Sequence, residues 1–194
     1  MMIYEDVFKR KSEFGGSIEV VCGSMFSGKT EELIRRLNRA RIAKLKVEIF
    51  SPKGDTRYLE NALVSHNANS IPSTPVENAS SILLLASDTH VVGIDEAQFF
   101  DAELPDVCNM LANRGVRVIV AGLDMDFRGQ PFGPMPAIMA IADSVTKLQA
   151  VCVQCGSPAM YSFRLVPDES KILLGEKEVY EPRCRVCYHG ATLI

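Results

Sequence analysis

Apolar positions along the chain follow two periods in turn. Ser17–Cys22 (SIEVVC) is a short run of β-favouring residues that stops at Gly23. Thr30–Lys44 changes to helical spacing, with Leu33, Ile34, Leu37 and Ile42 on one side and arginines on the other. Lys46–Ser51 (KVEIFS) reads as the next strand, broken by Pro52 and Gly54. Lys53–Ser70 is polar without a period and predicts a loop, and Val76–Ala86 predicts a short helix. His90–Asp95 (HVVGID) predicts a buried strand, Glu103–Asn113 a helix with Gly115 at its C-terminal cap, and Arg117–Leu123 a further buried strand.

The strands are continuous apolar runs rather than alternating ones. That pattern belongs to a parallel sheet covered on both faces, the α/β class. From Val145 the character changes to short β-like runs, Gly and Pro punctuation and paired cysteines. The expected division is therefore an arm at residues 1–16, a sheet domain at 17–147 and a small domain at 148–194. The arm, MMIYEDVFKRKSEFGG, is charged and lacks the apolar core of a secretory signal. It is expected to be flexible, or to dock on another subunit.

Composition narrows the partners. Of the 194 residues, 47% are hydrophobic, enough for a buried core. The net charge of −3 and a pI near 5.7 argue against a nucleic-acid partner, which usually meets a basic surface. The longest apolar cluster, Ile82–Ala86, is far too short to cross a bilayer. A cytoplasmic protein is expected, with neither membrane nor nucleic acid as partner.

Gly23-Ser24-Met25-Phe26-Ser27-Gly28-Lys29-Thr30 matches the phosphate-loop pattern GxxxxGK[ST], between a predicted strand and a predicted helix. Gly23 and Gly28 let backbone N–H groups turn toward phosphate oxygens, and the helix that follows adds its positive end. Lys29 is expected to reach the β- and γ-phosphates of ATP and Thr30 to place its hydroxyl on Mg²⁺. Asp95 ends an apolar strand and is expected to hold the same magnesium. Glu96 follows it. Consecutive residues at a strand end point to opposite sides, so Asp95 can face the metal while Glu96 faces an incoming hydroxyl and acts as general base. With water as nucleophile the protein is an NTPase; with a bound alcohol it is a kinase.

Two CxxC pairs, Cys152/Cys155 and Cys184/Cys187, suit a tetrahedral zinc with four sulfur ligands. Such a site has no open position and is structural. It would pin both ends of segment 156–183 and make a closed loop able to cover a site, with Leu173, Leu174, Gly175 and Tyr180 as contact residues. Cys22 and Cys108 stand alone in apolar surroundings and read as buried thiols.

In combination, GSMFSGKT, IDEAQFF, GLDMDFRGQPFG, SVTKLQAVCVQC and CRVCYHG resemble the type II thymidine kinases in the same order, from about Ser17 to Tyr188. The resemblance implies transfer of a phosphate from Mg-ATP to the 5′-hydroxyl of thymidine or deoxyuridine. It implies a RecA-like ATP domain, and a zinc domain whose lasso loop closes over the nucleoside. It also implies a homotetramer inhibited by thymidine triphosphate. By position it gives Glu96 as general base and Gln98 near the phosphates. Met25, Phe99, Leu123, Phe127 and Phe132 fall around the thymine. Ser162 stands where a threonine is frequent, Leu173–Gly175 and Tyr180 fall in the lasso, and Asp55 and Arg57 match a DTR segment linked with the phosphates. Phe100 reads better as core. Two other readings fit the phosphate loop and the cysteines: a RecA-like zinc ATPase acting on single-stranded DNA, and a zinc-bearing module that uses ATP as a switch.

Overall fold

A computed structural model describes residues 15–53, 62–64, 70–167 and 179–192. Its centre is a parallel sheet of six strands. They are β1 (Ser17–Gly23), β2 (Val47–Pro52), β5 (Thr74–Val76), β6 (Val91–Ile94), β7 (Arg117–Gly122) and β8 (Ser144–Leu148). The spatial order is β5-β2-β6-β7-β1-β8. All pairings are parallel, so the C-terminal ends of the strands form one edge. The phosphate-loop segment leaves β1 at that edge, and Asp95 and Glu96 leave β6 there, two strands away with β7 between them.

Period-two alternation sorts side chains to the two faces. Ile18, Val20 and Cys22 of β1, Val92 and Ile94 of β6, and Val118 and Val120 of β7 share one core. That core is completed by α2 (Ser80–Leu85), α3 (Leu104–Asn113) and α4 (Met135–Ile141). Val21, Ile49, Val91, Ile119 and Ala121 face the other way, onto Leu33, Ile34, Leu37 and Ala40 of α1 (Lys29–Ile42). Both faces are dry, which is why the strands read as continuous apolar runs. Gly93 sets the separation from α1: a Cβ there would stand 2.8 Å from Leu37 Cδ1.

Both long helices end in the same way. Gly115 after α3 has φ 86°, with Gly115 N–H donating to Ala112 C=O and Val116 N–H to Leu111 C=O. After α1, Lys44 takes that left-handed position at φ 60°, with Lys44 N–H on Arg41 and Leu45 N–H on Ala40. Charged side chains link α1 to the sheet. Glu19 accepts from Arg36 at 2.9 Å and from Arg117 at 2.5 Å, and Arg36 also donates to Glu32 and Thr146.

Several local expectations change. Ile42 is exposed, and Ala40 takes the buried place at that end of α1, because two residues of helix turn a side chain about 200°. The stretch expected as loop contains β3 (Ala62–Val64) paired antiparallel with β4 (Ser70–Pro72). The single helix expected over Val76–Ala86 is divided: Val76 ends β5, and α2 starts at Ser80, where Asn78 Oδ1 accepts from the Ser81 N–H. Helix α4 was not foreseen. Phe100 lies in the main core, as expected, and so do Cys22 and Cys108. The expected arm at residues 1–16 lies almost wholly outside the described residues.

Beyond β8 the chain forms two small antiparallel ladders. One is β9 (Ala150–Val151) with β10 (Pro158–Ala159), the other β11 (Tyr161–Arg164) with β12 (Tyr180–Arg183). Helix α5 (Arg185–Thr192) follows β12. Among the described residues no helix is long and apolar enough to cross a membrane.

Candidate active site

The phosphate loop is built from unusual backbone. Gly23 has φ 143°, Phe26 φ 64° and Gly28 φ 83°. A Cβ on Gly23 would stand 2.3 Å from the Leu148 carbonyl of β8, so only glycine fits between the strands there. Thr30 Oγ1 lies 3.3 Å from Asp95 Oδ2. A hydroxyl and a carboxylate side by side are hard oxygen ligands of the kind magnesium takes. Lys29 Nζ donates to the Ser24 carbonyl at 2.8 Å and so spans the loop. Ser27 Oγ is buried without a hydrogen-bond partner among the described residues, leaving a donor that suits an anion's oxygen.

Asp95 and Glu96 are both buried. They do not diverge by strand alternation, as the sequence reading supposed. Strand β6 stops at Ile94, and Glu96 sits in the left-handed region at φ 50°, ψ 40°. That conformation costs a non-glycine residue about 1–2 kcal/mol and is characteristic of functional sites. A single 3₁₀ turn, Ala97–Phe99, follows. It brings Gln98 back beneath Glu96, where its Nε2 donates to Glu96 Oε2 at 2.5 Å. Gln98 Oε1 accepts the Leu123 N–H at 2.9 Å. Close approach of backbone secures this arrangement: Gly133 has φ 52°, and a Cβ there would fall 2.1 Å from the Gln98 carbonyl oxygen.

Leu123 opens a loop that returns to α4. Asp126 organises it, with Oδ1 accepting from the Arg128 N–H at 2.9 Å and the Gln130 N–H at 3.0 Å. Phe132 N–H donates to the Asp124 carbonyl, and the Phe132 ring meets Phe99 edge-on at 5.6 Å. Phe132 is buried, while Phe99, Leu123, Phe127 and Met25 are half-buried. Phe127 is covered by Arg164, whose Cζ lies 3.5 Å from the ring centroid, and Arg164 also donates to Tyr180 Oη at 2.7 Å. Ser162, expected against a nucleoside, accepts the Met25 N–H at 3.0 Å, and Ser24 Oγ donates to the Ala159 carbonyl at 3.3 Å. Strands β10 and β11 thus lie against the phosphate loop. Asp55, Arg57, Leu173, Leu174 and Gly175 lie outside the described residues.

Sequence reasoning missed Asp124, Lys147, Arg164 and Tyr188. Lys147 of β8 pairs with the buried Asp124 at 2.5 Å, crossing the end of β1. Each pairing joins residues distant in the chain, and only the Asp-x-Asp within GLDMDFRGQPFG gave a local hint.

The four cysteines converge, with their Sγ atoms all within 4.8 Å of one another. Four sulfurs at about 2.3 Å from a tetrahedral zinc stand roughly 3.8 Å apart, close to the 3.6 Å between Cys155 and Cys184. Burial works against ionising Cys152, but N–H donors of Cys184, Gln154 and Cys155 outweigh it and bring the thiol down to about 6. Contact with Cys155, then with Cys184, pushes Cys187 up to about 12. A divalent cation would displace the protons that remain. Phe26 of the phosphate loop packs against this cluster, beside Ala150, Cys152, Ala159 and Cys184.

The sequence model of the thymidine kinase family matches residues 16–188. The chain is 59% identical over 191 residues to a thymidine kinase of Bacteroides fragilis, covering 98% of this chain and 96% of that one. It is 64% identical over 177 residues to a thymidine kinase of Porphyromonas gingivalis, covering 91% and 87%. A thymidine kinase of a Rhodothermus species is 57% identical over 187 residues, covering 96% and 88%. With the phosphate loop, the paired acids and the cysteine cluster in one array, the chain belongs to the thymidine kinase family.

Proposed function

We propose that the protein transfers the γ-phosphate of ATP to the 5′-hydroxyl of thymidine, yielding ADP and thymidine monophosphate for DNA synthesis, and to that of deoxyuridine, yielding deoxyuridine monophosphate. One observation carries this reading: Asp95 meets Thr30 of the phosphate loop while the next residue, Glu96, is held separately by Gln98. This arrangement supports different work for the two acids.

In this mechanism Gly23–Thr30 cradle the triphosphate, with N–H groups of the loop and Lys29 on the β- and γ-oxygens. Thr30 and Asp95 hold Mg²⁺, which when bound offsets negative charge on the phosphates. Glu96 accepts the proton of the 5′-hydroxyl as it attacks. Met25, Phe99, Leu123, Phe127 and Phe132 form the apolar wall for thymine. Ser162, Leu173, Leu174, Gly175 and Tyr180 close the other side, and Asp55 and Arg57 assist at the phosphates. Backbone groups of the lasso select thymine over cytosine, whose edge has the reversed donor pattern. A buried group left unpaired costs roughly 1–3 kcal/mol, enough to discriminate.

The four cysteines hold a structural zinc. The relatives' name supports thymidine as acceptor, and the motif resemblance supports a cytoplasmic homotetramer inhibited by thymidine triphosphate. Incubating purified protein with Mg-ATP and a panel of nucleosides tests the proposal. Thymidine and deoxyuridine should yield 5′-monophosphates and deoxycytidine none. ATP hydrolysis to ADP and phosphate stimulated by single-stranded DNA, with no nucleoside 5′-monophosphate formed, would replace it with the ATPase reading.

A further inference from the structure

The cysteine cluster reaches beyond the segment between its knuckles. Cys184 immediately precedes α5, Cys187 lies in its first turn, and Tyr188 is next. The Tyr188 N–H donates to the Cys184 carbonyl at 2.9 Å, and the Cys187 N–H to Cys184 Sγ at 3.5 Å. The start of α5 is therefore oriented by residues that also supply sulfurs. From there the Tyr188 ring stacks on Tyr161, centroids 4.4 Å apart and planes at 23°. Its hydroxyl donates to the Phe127 carbonyl at 2.6 Å.

Phe127 stands in the middle of the loop that joins β7 to α4. Gly129, two residues on, has φ 70°, and a Cβ there would lie 3.2 Å from Tyr161 Cε1 and 3.6 Å from Tyr188 Oη. The loop thus rests against the two tyrosine rings. Arg164 holds the Phe127 ring from its face at 3.5 Å. Main chain and ring of Phe127 are gripped separately, both by the C-terminal part of the chain.

We propose that Tyr188 is a positioning residue that makes the Phe127 loop, the acceptor side of the pocket, depend on assembly of the four cysteines. This rests on the reading of the pocket given above. A loop containing a left-handed glycine has several accessible courses, and a short hydrogen bond to its central carbonyl selects one. The metal would then order the acceptor side of the pocket through Tyr188.

Tyr188→Phe keeps the ring stack and removes only the hydroxyl. Hydrogen exchange of the zinc-loaded protein reads the clamp directly, at the Gly129 and Gln130 amides that Asp126 holds. Exchange there should quicken by about three- to tenfold, the scale of one lost hydrogen bond. The KM for thymidine should rise by a similar factor, with zinc content and the KM for ATP unchanged. Unaltered exchange at Gly129 and Gln130 overturns the proposal. So does a parallel rise in both KM values with loss of zinc, which marks a residue that merely supports the fold. Quickened exchange in a protein whose wild type ignores thymidine leaves the clamp standing and removes the functional reading instead.

Discussion

Gln98 orients Glu96 from below while reading the end of β7: one face of its amide donates to the carboxylate and the other accepts the Leu123 N–H. A glutamate that must take a proton from a bound alcohol gains from a fixed rotamer, since a misplaced base loses rate steeply. The same amide ties the turn that follows β6 to Leu123, the first residue after β7, so the Glu96 carboxylate and the loop leading to α4 share one support.

Replacing Gln98 with Ala therefore removes both the acceptor of the half-buried Leu123 N–H and the amide that donates to Glu96. The expected cost is about 1–3 kcal/mol of stability, with a fall in kcat larger than any change in the KM for ATP. Chemical denaturation and steady-state kinetics on the same preparation check both parts.

Gly133→Ala probes that support from the backbone side. The added Cβ would overlap the Gln98 carbonyl at 2.1 Å, with φ at 52°. Main chain cannot yield as a side-chain end can, so a destabilisation of about 2 kcal/mol or more is expected. Thermal unfolding measures it, and a melting temperature equal to wild type contradicts the packing described.

Helix ends give a paired test. Lys44 and Gly115 occupy equivalent left-handed positions after α1 and α3. Lys44→Gly should stabilise the protein, and Gly115→Ala should destabilise it, each by about 1 kcal/mol. No atom lies within 4 Å of a Cβ built on Gly115, so that cost is conformational alone.

The solitary thiols should be inert in the native protein. Burial pushes Cys108 up to about 12, and burial with the nearby Asp124 charge raises Cys22 to about 11. Only the thiolate reacts, so at about pH 8 neither should be alkylated by iodoacetamide until the protein unfolds. Peptide mapping of labelled protein decides this.

What could be read from the chain follows the range of the interactions involved. The phosphate loop, Asp95 and the two CxxC pairs are local patterns, and their residues lie together in the structure. The central strands were legible because both faces are buried. The edges were not. β5 is three residues long and includes Pro75, a residue confined to sheet edges, and β8 is half-exposed along its length. The left-handed turn at Glu96, the Gln98 bridge, the Lys147–Asp124 pair and the Tyr188 clamp depend on residues brought together by the fold. Periodicity carries no signal for them.

With zinc on the four cysteines, as proposed, metal removal has two consequences, because the cluster supports Phe26 of the phosphate loop and adjoins Tyr188, which bonds the Phe127 carbonyl. Chelation should lower the melting temperature and weaken both ATP and thymidine binding. Calorimetric titration of metal-stripped protein, with and without restored zinc, checks this. Unchanged affinities in the stripped protein contradict it.

The most direct test of the account compares wild type with Glu96→Gln, measuring thymidine-dependent turnover and ATP affinity side by side. If Glu96 is the base and the phosphate loop works independently of it, turnover falls by about 10²–10⁴-fold while the ATP Kd stays near wild type. Near-normal turnover in Glu96→Gln, or an ATP affinity that collapses with it, contradicts the separation of roles on which the mechanism stands.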